Sequence, residues 1–435
     1  MTNAHIDAFI DASPVSRFQW QAIGVCLAIG LLDGLDIQLL GVAAPALIRE
    51  WGLKPEVMGP VFMAAPAGMI LGALSFGPLA DRFGRRRLII FGTLAFGLLT
   101  LLTGHAQSLQ ELKILRFLAG IGLGGVLPNL IALVNEYSPQ RLRGTITAVA
   151  FCGLPLGSLF GGLLASWIIP IWGWPTLFYA GGAVPALVAL LAIVMLPESI
   201  RYLLLDPANR TRVDQLLRRI SPHARPLDPP AAPAARIQSS ALDVFGPGRT
   251  PTTLLLALST GMNMFMLYFF INWTPTLMHA AGMSPAEALW ASACVNTGGT
   301  LGALSWGVLM DRFGTFRVMS VVGLTAAAAI VLVGVGNDSR LLLLGALFVT
   351  GFCVLGAQIG NYALIGSVYP TQLRSTGVGT VLGIGRIGSV LGPLAGGWML
   401  HSGWPIPLIF AVVAVPGVLS AAGIWLTGRL PRRFD

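Results

Sequence analysis

The chain has 435 residues, 55% of them hydrophobic and only 10% charged. Soluble domains carry about 25% charged residues, so this composition excludes a water-soluble globule and points to a protein that crosses a membrane many times. The formal net charge of +9 leaves nucleic acid as a partner only if the basic residues avoid a membrane pattern.

Residues 1–19 hold Asp7 and Asp11 and lack both a basic leader and a small-residue cleavage site, which is not a signal-peptide pattern. Ile6, Phe9 and Ile10 fit a short amphipathic helix. From Trp20 onward twelve apolar segments follow, each near the ~20 residues that span a hydrocarbon core. They cover 20–46, 58–79, 88–104, 114–135, 144–167, 174–196, 252–272, 288–309, 318–335, 341–368, 377–400 and 404–427. A polar, Pro- and Arg-rich stretch at 197–250, with a short helical pattern at Val213–Ile220, separates the sixth from the seventh. The expected architecture is an all-α membrane protein of 12 transmembrane helices. It comprises a segment 1–19, a six-helix bundle over 20–196, a central loop over 197–250, a second bundle over 251–427 and a tail over 428–435.

Placing the N-terminus inside puts 21 Lys and Arg residues in inner loops against four in outer loops, with Arg116 and Arg386 inside spans. That bias predicts cytoplasmic termini in an inner (plasma) membrane protein. It accounts for the basic charge and removes nucleic acid from the partners, leaving the bilayer.

The first segment carries the sharpest signal. Between Trp20 and Ile48 the only charges are Asp33 and Asp36, at i and i+3 on one helix face with Gly34 between them. A charge at mid-bilayer costs on the order of 3 kcal/mol or more, so the pair predicts a cavity or a partner. Asp33, Asp36, Arg116 and Arg386 are the four in-span charges, and they cancel. An Asp whose proton affinity depends on a nearby Arg is suited to carry protons, and an Arg released from it can take a substrate carboxylate in a bidentate pair. The competing interpretation is a set of static ion pairs that fix helix packing.

The two halves repeat. Gly77-Pro-Leu-Ala-Asp81-Arg82-Phe83-Gly84-Arg85-Arg86-Arg87 recurs as Gly307-Val-Leu-Met-Asp311-Arg312-Phe313-Gly314-Thr315-Phe316-Arg317, an offset of 230. Pro139-Gln-Arg-Leu-Arg143-Gly-Thr145 is echoed 231 residues later by Pro370-Thr-Gln-Leu-Arg374-Ser-Thr376. Such parallel repeats are known from secondary transporters. Asp81, Arg82, Arg85, Glu136 and Arg143 are expected to gate the inner face, with Asp311, Arg312 and Arg374 as the mirror network. The repeat maps Asp33 onto Asn263, Arg116 onto Leu347 and Arg386 onto Pro155, so in-span carboxylates occur only in the first half. That asymmetry predicts proton coupling by the first half and substrate orientation by both. Equal loss of coupling in Asn263→Ala and Asp36→Asn would contradict it.

The whole chain resembles the major facilitator superfamily, whose loop between the second and third helices matches Gly77–Arg87. In that family the loop latches the inner face shut. Asp33-Gly34-Leu35-Asp36 resembles the first-helix motif of the aromatic-acid:proton symporters. The start Asp11-Ala-Ser-Pro14 through Arg17-Phe-Gln-Trp20 and the run Arg116-Phe-Leu-Ala-Gly120 to Pro128-Asn129 look like the same family. The resemblance implies import of a benzoate-type carboxylate with protons, without cofactor or metal, by a protein that commonly works as a monomer. Arg116, Arg386, Asn263, Gln358 and Asn361 are then the expected substrate contacts, with Tyr268 and Tyr362 among the aromatic candidates.

Other patterns are discounted. Gly120-x-Gly122-x-x-Gly125 fits a dinucleotide fingerprint but lies in a span without a preceding strand. It reads as helix packing, as do the ladders Gly153/Gly157/Gly161 and Gly388/Gly392/Gly396. Two rivals stay open: a proton-driven antiporter exporting a drug or metabolite, told apart by coupling direction, and a membrane sensor, told apart by binding without uptake. An enzyme is disfavoured, because no nucleophile–base pair or metal cluster stands out.

Overall fold

The computed structural model describes residues 3–142, 146, 153–204, 206–221, 241–246, 248–336, 339–369 and 373–430, and every regular element among them is helical. Helix α1 (Asn3–Ala12) buries Ile6 and Ile10, the face read from the sequence. Helix α2 (Arg17–Glu50) begins at a capping box, in which Ser16 and Gln19 satisfy each other's backbone N–H groups. Then come α3 (Met58–Phe83), α4 (Arg85–Thr103), α5 (Leu109–Gly124), α6 (Val126–Tyr137) and α7 (Gly153–Met195). The polar stretch contains the short α8 (Ile200–Leu203) and α9 (Arg210–Ile220). The second half comprises α10 (Thr250–Ala280), α11 (Pro285–Phe313), α12 (Thr315–Val335), α13 (Arg340–Val354), α14 (Ala357–Val368), α15 (Arg374–His401) and α16 (Ile406–Arg429).

Nine helical stretches among the described residues are long and apolar enough to cross a membrane. The difference from twelve segments has local causes. Helix α7 carries the fifth and sixth segments as one stretch, turned at Gly173 (φ 79°). The tenth segment is split into α13 and α14 at Leu355–Gly356, which leaves each piece short. The eighth, in α11, is not among the nine. The fourth is also divided, into α5 and α6 at Gly125, but still counts as one stretch, Leu109–Tyr137. Gly125 and Gly356 are equivalent positions in the repeat, 231 residues apart. Both positions are too crowded for a side chain: a Cβ on Gly125 would lie 2.0 Å from the Phe76 ring, and one on Gly356 2.5 Å from the Phe352 carbonyl.

Inside a bilayer, lipid tails are as apolar as leucine, so helices associate through close packing of small residues and not through hydrophobic burial. The predicted ladders do this. A Cβ on Gly157 would lie 1.8 Å from the Leu31 carbonyl, seating α7 on α2, and one on Gly388 1.9 Å from the Gly261 carbonyl, seating α15 on α10. These two glycines are again repeat-equivalent. Large apolar side chains such as Leu74, Phe91, Trp167, Val308 and Leu341 point outward, a surface that lipid covers.

The helices form two sets, α2–α7 and α10–α16, with a central cavity between them. Contacts joining the sets gather toward the face opposite the termini. There Phe62 meets Trp273 edge-on at 5.0 Å, Asn296 donates to Gln38 at 3.3 Å, and Gly59 lies against Gly397.

Candidate functional site

The central cavity, about 110 Å³, is lined by both sets of helices, and its two walls differ. The first half contributes Ile37, Met69, Leu127 and Leu154, with Ser158 its one polar side chain there. The second half contributes Tyr268, Gln358, Tyr362, Arg386 and Ser389 beside apolar groups. On the scale where one water needs about 10–15 Å³, the cavity has room for a single small organic molecule. Ser158 and Ser389 are repeat-equivalent, and so are Leu127 and Gln358.

Two groups in this wall are poised for a ligand. Among the described residues no ion pair holds Arg386, which is half-buried in the cavity wall. Both polar ends of the Gln358 side chain are buried without a partner. Leaving such groups unsatisfied costs about 1–3 kcal/mol each, a cost that a bound polar ligand removes. Gln358 sits in the first turn of α14, just after Gly356.

The two aspartates occupy different environments. Asp36 accepts a hydrogen bond from Arg116 at 2.9 Å and another from Thr100 Oγ1 at 3.0 Å. Arg116 also donates to Thr100 at 2.7 Å and to Thr103 at 3.1 Å, and its guanidinium lies 5.4 Å from the Phe178 ring centre. The cluster is fully inside the first half, with Arg116 1% exposed. Asp33, equally buried, has neither carboxylate oxygen hydrogen-bonded. It sits one helical turn from Ile37, on the face that reaches the cavity wall. The charges acting on it are those of Asp36 and Arg386.

Gly34, between the aspartates, is where α7 crosses α2. A Cβ there would lie 1.9 Å from the Leu154 carbonyl, and Ser158 donates to the Gly34 carbonyl at 2.8 Å. The helix that carries the carboxylates is thus one hydrogen bond from the cavity.

Of the five expected substrate contacts, Arg386 and Gln358 line the central cavity and three do not. Arg116 is consumed by Asp36 and the two threonines. Asn263 and Asn361 line a separate void of about 10 Å³ inside the second half, where Asn263 donates to the Val354 carbonyl at 3.2 Å. Their helices are apolar on nearly every face, so no stripe in the sequence marks which face meets the cavity. Ser158 and Ser389 were missed; their equivalence in the repeat is the signal that could have found them.

At the face carrying the termini, Arg85 pairs with Glu136, which also accepts from Ser199 Oγ at 2.6 Å. Glu198 accepts from the Arg86 backbone N–H at 3.1 Å, and Tyr202 donates to the Arg82 carbonyl at 3.2 Å. The chain after the sixth segment therefore joins this network. In the second half Asp311 and Arg312 are exposed, with Arg312 over the Phe313 ring. Asp81 and Arg374 lie on described helices, α3 and α15, while Arg143 lies outside the described residues.

Two sets of repeat-related helices that share the lining of a central cavity have the build of a secondary transporter and not of an enzyme. The chain belongs to the Major Facilitator Superfamily, which it matches over residues 26–273 and 253–433, and it is a multi-pass inner-membrane protein. It is 37% identical to the 4-hydroxybenzoate transporter PcaK of Pseudomonas aeruginosa, over 97% of this chain and 95% of that one. It is 35% identical to a gallate transporter of Pseudomonas putida (97% and 94% covered) and 32% to a benzoate transport protein of Acinetobacter baylyi (97% and 92%). Among solved structures, a partially occluded, inward-open xylose transporter XylE of E. coli superposes with a TM-score of 0.77 at 16% identity, covering 96% of this chain and 98% of that one. That likeness speaks to fold alone.

Proposed function

We propose that this protein imports an aromatic, benzoate-type carboxylate together with protons, by alternating access across twelve helices whose termini are cytoplasmic. The observation that carries the reading is the combination of an Arg386 free of any described ion pair, in the wall of a small aromatic-bearing cavity, with a buried, hydrogen-bond-free Asp33 on α2, whose Ile37 lines the same cavity. Full-length similarity to transporters named for 4-hydroxybenzoate, gallate and benzoate supports the substrate class.

In this reading the planar guanidinium of Arg386 takes the carboxylate in a fork, Gln358 meets a ring substituent, and Tyr268 and Tyr362 flank the ring. Asp33 takes up the proton. An ionised Asp33 attracts Arg386; once protonated, it releases Arg386 to the incoming anion. Asp36 and Arg116 hold α2 in place and set the field at Asp33. Asp81, Arg82, Arg85, Glu136 and Arg143, with Asp311, Arg312 and Arg374, serve as the cytoplasmic gate. The contacts between Phe62 and Trp273 and between Gln38 and Asn296 then close the outer side, as expected for an inward-facing state. Since the membrane potential opposes anion entry, net positive charge movement requires more than one proton per monoanion.

Uptake of a panel of labelled benzoate-type acids into proteoliposomes, with and without an alkaline lumen, tests this. Accumulation that needs the gradient and selects among the acids supports symport. Proton release on adding a cationic drug, without uptake of any acid, overturns it in favour of an antiporter.

A further inference from the structure

A second cavity, about 740 Å³, lies at the terminal face between the start of α4, the end of α7 and helix α9. Its lining includes Arg86, Arg87, Arg212, Arg218 and Arg219 against one carboxylate, Glu198. That carboxylate is occupied, accepting from the backbone N–H groups of Arg86 and Ser199. The transport cycle proposed above uses none of the three α9 arginines that line this cavity.

The cavity is built by the fold. Val213, Leu217 and Ile220, at i, i+4 and i+7, are buried in an apolar cluster with Ile6, Ile10 and Leu196, which clamps α9 onto the bundle. The remaining faces of α9 hold Arg212, Arg218 and Arg219, all exposed. Arg218 and Arg219 also complement the helix C-terminus, but that does not account for Arg212, Arg86 or Arg87. Arg86 donates to the Ile193 carbonyl, and its Nε is buried without a partner. Beside these charges Val194, 84% exposed, lines the same cavity, and Leu190 and Leu191 continue an exposed apolar face down α7.

We infer that this cavity is a binding site for an anionic phospholipid, its phosphate held by the arginines and its acyl chains lying on the outer face of α7. Guanidinium groups chelate phosphate oxygens bidentately, and basic pockets at membrane faces bind phosphorylated headgroups. The apolar wall that runs from the cavity into the bilayer favours a lipid over a soluble phosphate. Bound there, the lipid ties α4, α7 and α9 together next to the Arg85–Glu136 pair.

Native mass spectrometry of the full-length protein, released from nanodiscs of phosphatidylcholine doped with phosphatidylglycerol, tests the inference. Wild type should retain one phosphatidylglycerol in preference to phosphatidylcholine. Arg212→Gln/Arg218→Gln should weaken that retention about thirtyfold, the worth of two arginines near an anionic surface. The control Arg429→Gln, which removes a guanidinium stacked on Trp425 elsewhere, should leave it unchanged. Equal retention in the α9 double variant overturns the site. Displacement of phosphatidylglycerol by millimolar glycerol phosphate overturns the lipid as ligand.

Discussion

The two halves share one scaffold and differ in what they place on it. Their glycine ladders, helix breaks and cavity serines coincide under the repeat: Gly157 with Gly388, Gly125 with Gly356, Ser158 with Ser389. Their chemistry does not coincide. The first half buries Asp33, Asp36 and Arg116 behind a wall whose one polar side chain is Ser158, whereas the second half turns Arg386, Gln358 and two tyrosines into the cavity. At the terminal face the first half ties Arg85 to Glu136, while the equivalent positions in the second half are Thr315 and Ser367. Packing residues are duplicated because both halves must solve the same packing problem in lipid. The residues that break the duplication are those assigned here to coupling and binding.

The division can be broken most severely at the buried pair. Arg116→Leu leaves Asp36 charged and unpaired, and should cost on the order of 3–5 kcal/mol of stability, read as a drop in the thermal unfolding midpoint in detergent. The double variant Asp36→Leu/Arg116→Leu should recover most of that stability. If the single and double variants unfold alike, the pair is not the element that holds the first half together.

Crowding at the crossing of α2 and α7 gives the next effect. Gly34→Ala puts a methyl where the Leu154 carbonyl already sits, at about 1–3 kcal/mol; Gly24→Ala, where a Cβ meets nothing within 4 Å, should be tolerated. Equal stability of the two variants would refute close packing as the reason for Gly34.

On the binding side, Arg386→Lys keeps the charge and loses the fork. It should raise the apparent KM about tenfold or more, the worth of a charged hydrogen bond at about 1.5–3 kcal/mol. Gln358→Leu, which makes the second half like Leu127 of the first, should cost less, about 1 kcal/mol or fivefold in KM. Asn361→Ala, outside the cavity lining, should leave KM unchanged. An Asn361 effect as large as that of Gln358 would move the binding site into the second half's interior.

Much of this was legible in the sequence. Hydropathy and the repeat locate the helices, because spanning length and basic loops are set by the bilayer itself. Asp33, Asp36 and Arg386 stand out because charge within a span is costly. Glu136 is expected from the sequence in an inner charge network with Asp81, beside Arg141 and Arg143; its contacts in the structure are Arg85 and Ser199. What hydropathy could not show is facing: Asn263 and Asn361 lie on helices apolar on nearly every face, and nothing in the hydropathy distinguishes Gln358, which lines the cavity, from Asn361, which does not. Arg116 could be located in a span but not matched to a partner, since the pairing with Asp36 is a tertiary contact across 80 positions.

The most direct test of the central claim, that Asp33 in the first half carries the proton while the second half binds the acid, is Asp33→Asn in proteoliposomes assayed in two modes. The account predicts loss of gradient-driven accumulation of whichever benzoate-type acid the wild type accumulates, with substrate-for-substrate exchange retained at near wild-type KM. Accumulation at the wild-type level, or loss of exchange and accumulation together in a protein that unfolds at the wild-type temperature, would contradict it.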